Sequence, residues 1–373
     1  MQDSLTTDRP GPASLPREAP ALRAARTRRL NVGRQLELIL AKGAREAGAV
    51  AMSPTLFVQA MLPHKEVFEI GPDGEPVEIA DGLGGTIKLR AREYTATNGE
   101  FTLSVRAGME KGPSHLHRRI SRGIPYGGLA RLLLAYIVTE ARTKNTQTID
   151  LGRTISAFCG VLDISPTGGT YGRLPYVMDQ LLRLATCVVT FEWETVTPGR
   201  RDLRGEHLLV VDGYHFWSQG ASETSEPVEP APAQARGGTI QLSDRFWSEI
   251  VSSCFPLDFR KAQLFRGRPL AYDLYLWLTY RLAALQRTGR AKIALSYDDL
   301  HAQLGSHYQT DPQGALTPVG KKHFAYEVRK ALKAIAATWP TLSYETPRGR
   351  LILHNTGPDV EYRPPRPKDA GAD

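Results

Sequence analysis

The chain has 373 residues, 41% of them hydrophobic, and its 47 Lys plus Arg against 39 Asp plus Glu give a formal net charge of +8. That length and apolar share suffice for two or three packed domains and exclude a wholly disordered chain. No run approaches the roughly 20 apolar residues of a membrane span, and the amino end lacks the apolar centre of a secretory signal. The basic balance favours a polyanionic partner, although charge alone leaves open a basic protein that binds no nucleic acid. Cys159, Cys187 and Cys254 form no CxxC pair and sit in apolar contexts, as small core residues of a reducing cytoplasm would.

Residues 1–31 are rich in Pro, Ala and Arg without an apolar period, which predicts a disordered basic arm ending in ARTRRL. Leu36, Ile39 and Leu40 then mark a short helix. The runs VFEI, PVEIA, GTIKLRAREYTA and EFTLSVRA, separated by GPDGEP, DGLGG and TNGE, predict a small antiparallel sheet packed on the first helical unit. After RGIPYG comes a helix over Gly128–Lys144, then the strand TIDLG, a helix near Thr154–Leu162 and the turn-rich SPTGGTYG. The next stretch, Arg173 to Cys187, is amphipathic. Leu174, Val177, Met178, Leu181, Leu182 and Ala185 share one side, and Arg173, Tyr176, Gln180 and Arg183 the other. It leads into VVTFEWETV, which would pair with HLLVVDGYHFW across a loop holding Arg200, Arg201 and Arg204. Helix, turn, helix and strand hairpin make the order of a winged helix.

Residues 218–238, SQGASETSEPVEPAPAQARGG, read as an acidic linker. Beyond it the plan returns, offset by about 145 residues: helices LSDRFWSEIV and Pro269–Gln286, strand KIALS, and a helix opening at Ser296 with Asp299 placed for a capping box. A turn-rich loop, a second amphipathic helix over Pro318–Thr338 and the hairpin TLSYETP, RGR, LILHNT complete it. The fold class expected is α+β, mainly helical, with two tandem winged-helix domains over 32–217 and 239–356 and a disordered tail over 357–373.

The second amphipathic helix carries the stronger nucleic-acid signal. Thr317 can cap it and Pro318 suits its first position, while Phe324, Val328, Ala331, Leu332 and Ile335 form the core stripe. Opposite lie Lys322, Tyr326, Arg329, Lys330 and Lys333, with Glu327 off that side and Lys321 and His323 near the start. Several cations on one helical side suit the neutralisation of duplex phosphates, and Tyr326 and His323 add donors for base edges. Arg348 and Arg350 at the following hairpin tip favour this over a merely solvated lysine-rich side. The first unit's polar side is less basic and contains Asp179, which suits DNA contact, dimer contact or both.

Catalytic constellations are few. A phosphate-binding loop needs glycine where Ala315 stands and Ser or Thr where Lys322 follows Gly320 and Lys321, so no ATPase is supported. His115 and His117 flank Leu116 as the metal ligands of rolling-circle nucleases and relaxases do, which defines an alternative reading as a metal-dependent nicking enzyme. Pro113, Ser114, Arg118 and Arg119 around them favour a solvated loop instead. Asp298 and Asp299 suit helix capping better than acid–base work. The sequence therefore leads to no expected cofactor, resident metal or catalytic set.

The run SRGIPYGGLARLLLAYIVTEARTKNTQTIDLGRTISAFCGVLDISPTGGTYGRLPYVMDQLLRLATC resembles the plasmid-encoded RepA family of replication initiators, as does DLYLWLTYRL with the second basic helix. The likeness spans roughly residues 110–355 and rests on RGIPYG, LLLAYIVTEA, LGRTISAF and PTGG with RL soon after. It implies tandem winged-helix domains that bind repeated duplex sites (iterons) at a plasmid origin, open the adjoining duplex and recruit host helicase and initiator proteins. Repression of the protein's own promoter, as a homodimer, is implied too, in a bacterial cytoplasm and associated with nucleoid or plasmid. On this chain the resemblance puts the DNA-facing role on Arg173, Tyr176, Gln180 and Arg183, and on Lys321, Lys322, His323, Tyr326, Arg329, Lys330 and Lys333. A winged-helix transcriptional regulator is the remaining alternative; it shares these contacts and differs in its target.

Overall fold

The structure, a computed structural model, describes residues 32–362 apart from 83, 114, 116, 170–171, 218–236, 306–307 and 309–315. The arm expected over 1–31, most of the 218–238 linker, and the 357–373 tail from residue 363 onward lie outside the described residues.

Helix α1, over 32–41, turns Ile39 into the core. Then come β1 (Val50–Pro54), α2 (Leu56–Gln59), β2 (Glu78–Ala80), β3 (Thr86–Lys88), β4 (Glu93–Asn98), β5 (Phe101–Arg106), β6 (Met109–Lys111) and β7 (Arg119–Ser121). The β4–β5 hairpin turns at Gly99, whose φ of +59 fills the first central position of a two-residue loop between the paired Asn98 and Phe101. Next are α3 (Gly127–Lys144), β8 (Thr148–Gly152), α4 (Ile155–Val161), α5 (Arg173–Thr186), β9 (Val188–Thr197), β10 (Arg200–Leu209), β11 (Val211–His215) and β12 (Gly238–Leu242). The second half holds α6 (Asp244–Ser252), β13 (Cys254–Asp258), α7 (Phe259–Phe265), α8 (Pro269–Thr288), β14 (Lys292–Ser296), α9 (Tyr297–Leu304), α10 (Pro318–Ala336), β15 (Tyr344–Glu345) and β16 (Arg350–His354).

The chain is mixed α/β, which corrects the mainly helical expectation. The reason lies in non-local pairing: strands from before α3 join strands from after it. β4 and β5 extend the β9–β10 hairpin into a four-stranded sheet, and β1 pairs antiparallel with β13 about 200 residues later. β12 lies between β8 and β11, so Gly238–Leu242 completes a sheet of the first half. The segment at 218–236 therefore connects two neighbouring strands, and the domain boundary expected at 238–239 does not fall there. The second half closes its own sheet in the order β14-β16-β15. Its capping box is formed: Ser296 accepts from the Asp299 amide while the Asp299 side chain accepts from Ser296.

Helices α3 and α8 occupy matching places in the two halves and end alike, on left-handed residues Asn145 and Gly289. They pack together on a shared core. Arg131 of α3 makes a buried bidentate pair with Asp273 of α8, Nη2 donating to Oδ2 at 2.6 Å, and His64 Nε2 lies 2.9 Å from the same oxygen. Burial alone would raise the Asp273 pKa, but Arg131 and His64 outweigh it and hold the carboxyl below its ordinary value. A Cβ at Gly128 would stand 2.1 Å from the Arg266 carbonyl oxygen, so the close approach of α3 to the α7–α8 turn needs glycine there.

Candidate nucleic-acid interface

Helix α10 is capped as the sequence implies: Thr317 Oγ1 accepts from the Gly320 amide at 3.1 Å, and Pro318 takes the first turn. Phe324, Val328, Leu332 and Ile335 are fully buried, which turns Lys321, Lys322, His323, Tyr326, Arg329, Lys330 and Lys333 to solvent. Two of these cations already have acid neighbours. Lys321 Nζ donates to Asp298 at 2.7 Å, and Lys330 lies 3.3 Å from Glu327 and 5.9 Å from the Tyr326 ring. Such exposed pairs are worth about 0–1 kcal/mol and yield readily to a phosphate. The His323 ring stands edge-on to Tyr308 at 5.4 Å. Arg348 and Arg350 are exposed around the turn between β15 and β16.

Helix α5 is different. Arg173 and Tyr176 are exposed, but Gln180 is 0% and Arg183 1% exposed, so neither side chain is available to DNA. Gln180 Oε1 accepts from the Tyr126 amide at 3.0 Å. Arg183 donates to the Ile124 carbonyl at 3.1 Å and to Glu66, stands 2.8 Å from Asp179 and lies over the Tyr126 ring at 5.1 Å. Burial works against its charge, yet Asp179 and Glu66 prevail and hold the guanidinium above its ordinary pKa. The DNA-facing role expected of Gln180 and Arg183 is thus corrected to a packing role. They fasten α5 to Glu66, Ile124 and Tyr126, and Arg90 widens the network by meeting Glu66 and Glu110, each at 3.1 Å.

Arg200, Arg201 and Arg204 lie on strand β10 itself, since the turn is made by Pro198 and Gly199 alone. All three are exposed and paired, with Asp202, Glu194 and Glu206 respectively, and Arg204 also covers Trp193 at 5.6 Å. His115 and His117 are exposed, and no group of three or more His, Cys, Asp or Glu placed to hold a metal occurs among the described residues.

Between the amino end of α5 and the carboxyl end of α10 opens a cleft of about 1710 Å³. Its lining includes Arg173 and Tyr176 of α5, Ala334 of α10 with Ala337 just past its end, and residues of α1 and of the α7–α8 turn. Here the structure gathers Arg34, Arg266 and Arg268 beside Arg173, three residues the sequence reading passed over. Arg266 and Arg268 fall in FRGRP at 265–269, which carries no period and sits in a turn, and Arg34 is a lone cation at the start of α1.

The family model described as Plasmid encoded RepA protein matches residues 124–299. This stretch is similar to the plasmid-encoded RepA family. The matched stretch runs from just before α3 into α9 and includes α5, whereas α10 follows it. Two solved structures of RctB domains 2 and 3 are similar. One, a selenomethionine derivative, has 11% identity over 73% of this chain and 93% of that chain, with a TM-score of 0.43; the other has 10% identity over 71% and 91%, with a TM-score of 0.35. No curated protein matches the chain. No helix among the described residues is long and apolar enough to cross a membrane.

Proposed function

We propose that this RepA-type protein is a plasmid replication initiator that binds repeated duplex sites at its origin. The observation that carries the reading is the open cationic side of α10, a 19-residue helix whose opposite side is core, in a chain whose preceding region matches the RepA family. In both halves the order is helix, strand, helix, helix and hairpin, which is the order of a winged helix, so two such units would each present their last helix to a major groove. Phosphate contacts come from Lys322, Arg329, Lys333 and the hairpin arginines Arg348 and Arg350; Tyr326 and His323 reach towards base edges. In the first unit only Arg173 and Tyr176 remain as helix contacts, supplemented by Arg200, Arg201 and Arg204 on the long hairpin. Origin opening, recruitment of host helicase and initiator proteins, and repression of its own promoter as a dimer belong to the same proposal. The protein acts by binding, without a catalytic step of its own.

The test is binding of the purified chain to labelled duplexes from its own replicon across a salt series, against excess random DNA, with magnesium and manganese lanes. Tight, salt-dependent binding to repeated sites without strand cleavage is expected. Cleavage that disappears in His115→Ala or His117→Ala replaces the initiator by a metal-dependent nicking enzyme. Binding confined to a promoter, with no effect on origin opening, leaves a transcriptional regulator.

A further inference from the structure

The cleft between α5 and α10 is lined, among the described residues, by four arginines and a single carboxylate, Asp163. Arg34, Arg173 and Arg268 are exposed and have no acid within ion-pair distance among the described residues, unlike the three arginines of β10. Arg266 is only partly exposed and is held by backbone carbonyls, donating to Asp163 O at 2.7 Å and Gln263 O at 2.8 Å. Its carboxylate neighbour Asp163 is 3.7 Å away and is shared with Gln35, which donates to it at 2.7 Å. Burial lowers the Arg266 pKa, Asp163 opposes that shift, and Arg173 adds to it, so the two guanidiniums repel each other across an under-neutralised site.

We propose that this cleft carries a stretch of duplex phosphate backbone between the segments contacted by α5 and α10, with Arg34, Arg173, Arg266 and Arg268 as its cations. The inference rests on the DNA-binding reading above. An open space of about 1710 Å³ exceeds the roughly 300–1,000 Å³ of small-molecule pockets, which disfavours a single small anion. The cations with free ends are the exposed ones, as a strand passing over the mouth requires. Tyr126 and Tyr176 contact each other at a ring distance of 6.0 Å, so they are not set apart as platforms for unstacked bases, and a duplex fits better than a single strand. The position is also continuous with the candidate interface, because the cationic side of α10 runs from Lys321 to Lys333, and Ala337 on the cleft wall lies four residues on, along the same side.

The experiment uses the full chain and a duplex of about 30 base pairs selected with it from a random-sequence pool, long enough for two segments one helical turn apart. The double variant R34Q/R268Q removes two exposed, unpartnered charges, and its melting temperature should match the parent. On the selected duplex its log–log salt slope should fall by about 2, close to 0.9 per lost phosphate contact. On a shortened duplex that keeps only the segment protected by α10, the slopes of variant and parent should coincide. Arg329→Ala, the control for α10, should lower the slope on both duplexes. An unchanged slope for R34Q/R268Q where Arg329→Ala lowers it overturns the cleft proposal alone. Weakening seen only with a single-stranded oligonucleotide overturns it too. If no duplex is selected, or Arg329→Ala changes neither slope, the DNA-binding reading itself fails.

Discussion

Helices α5 and α10 hold the same place in their halves and carry the same two-sided pattern, yet only α10 turns its whole polar side outward. On α5 the later part of the polar side is covered by Glu66, Ile124 and Tyr126, whose groups Gln180 and Arg183 satisfy, while Arg173 and Tyr176 at its start stay exposed. On α10 no comparable strand or loop covers the basic side among the described residues, and its cations remain exposed. Two polar stripes of similar period thus do opposite jobs: one glues a helix to the chain before it, the other stays free for a partner. A polar stripe locates the side of a helix that is not apolar core; tertiary packing decides whether that side meets water.

Four substitutions break or sharpen this contrast. Arg183→Ala should cost about 3 kcal/mol in denaturant unfolding, the lower end for a broken buried pair because Glu66 and Asp179 remain 25% exposed. Loss of DNA affinity with unchanged stability would instead restore Arg183 to the interface. Gln180→Ala, which strands the Tyr126 amide, should cost about 1–3 kcal/mol by the same measurement. Arg329→Ala should leave unfolding within about 0.5 kcal/mol of the parent. In DNA titrations the same change should reduce the salt slope by about 1, and a large stability loss would show that the α10 side is packed as α5 is. The smallest effect is expected for Lys321→Ala, where losing the exposed Asp298 pair should shift stability by no more than about 0.5 kcal/mol.

Local signals made much of this architecture readable from residues alone. The 3.6-residue period placed α5 and α10 within two residues of their observed ends, and KIALS coincides with β14. The Ser296 capping box and the Thr317 and Pro318 start were legible because each depends on residues three or four apart. What escaped was decided by partners far along the chain. Nothing near Gly238 announces that β12 will enter between β8 and β11, so an acidic, proline-rich stretch before it resembled a domain boundary. Likewise Gln180 and Arg183 are buried by contacts 54, 59 and 117 residues away. The cleft arginines come from α1, α5 and the α7–α8 turn, and no window of sequence contains all three.

The pairing of β1 with β13, and the core shared by both halves, bear on how the chain can be divided. A fragment cut to residues 124–299 would leave β13 without β1, β9 without β5 and β14 without β16, and would strip α10 from α8. Such a piece keeps the residues that mark the family but exposes three unpaired strand edges and the apolar surface beneath α10. Resemblance and cooperativity therefore follow different borders here: the stretch that matches a known family is shorter than the smallest stretch expected to melt as one body.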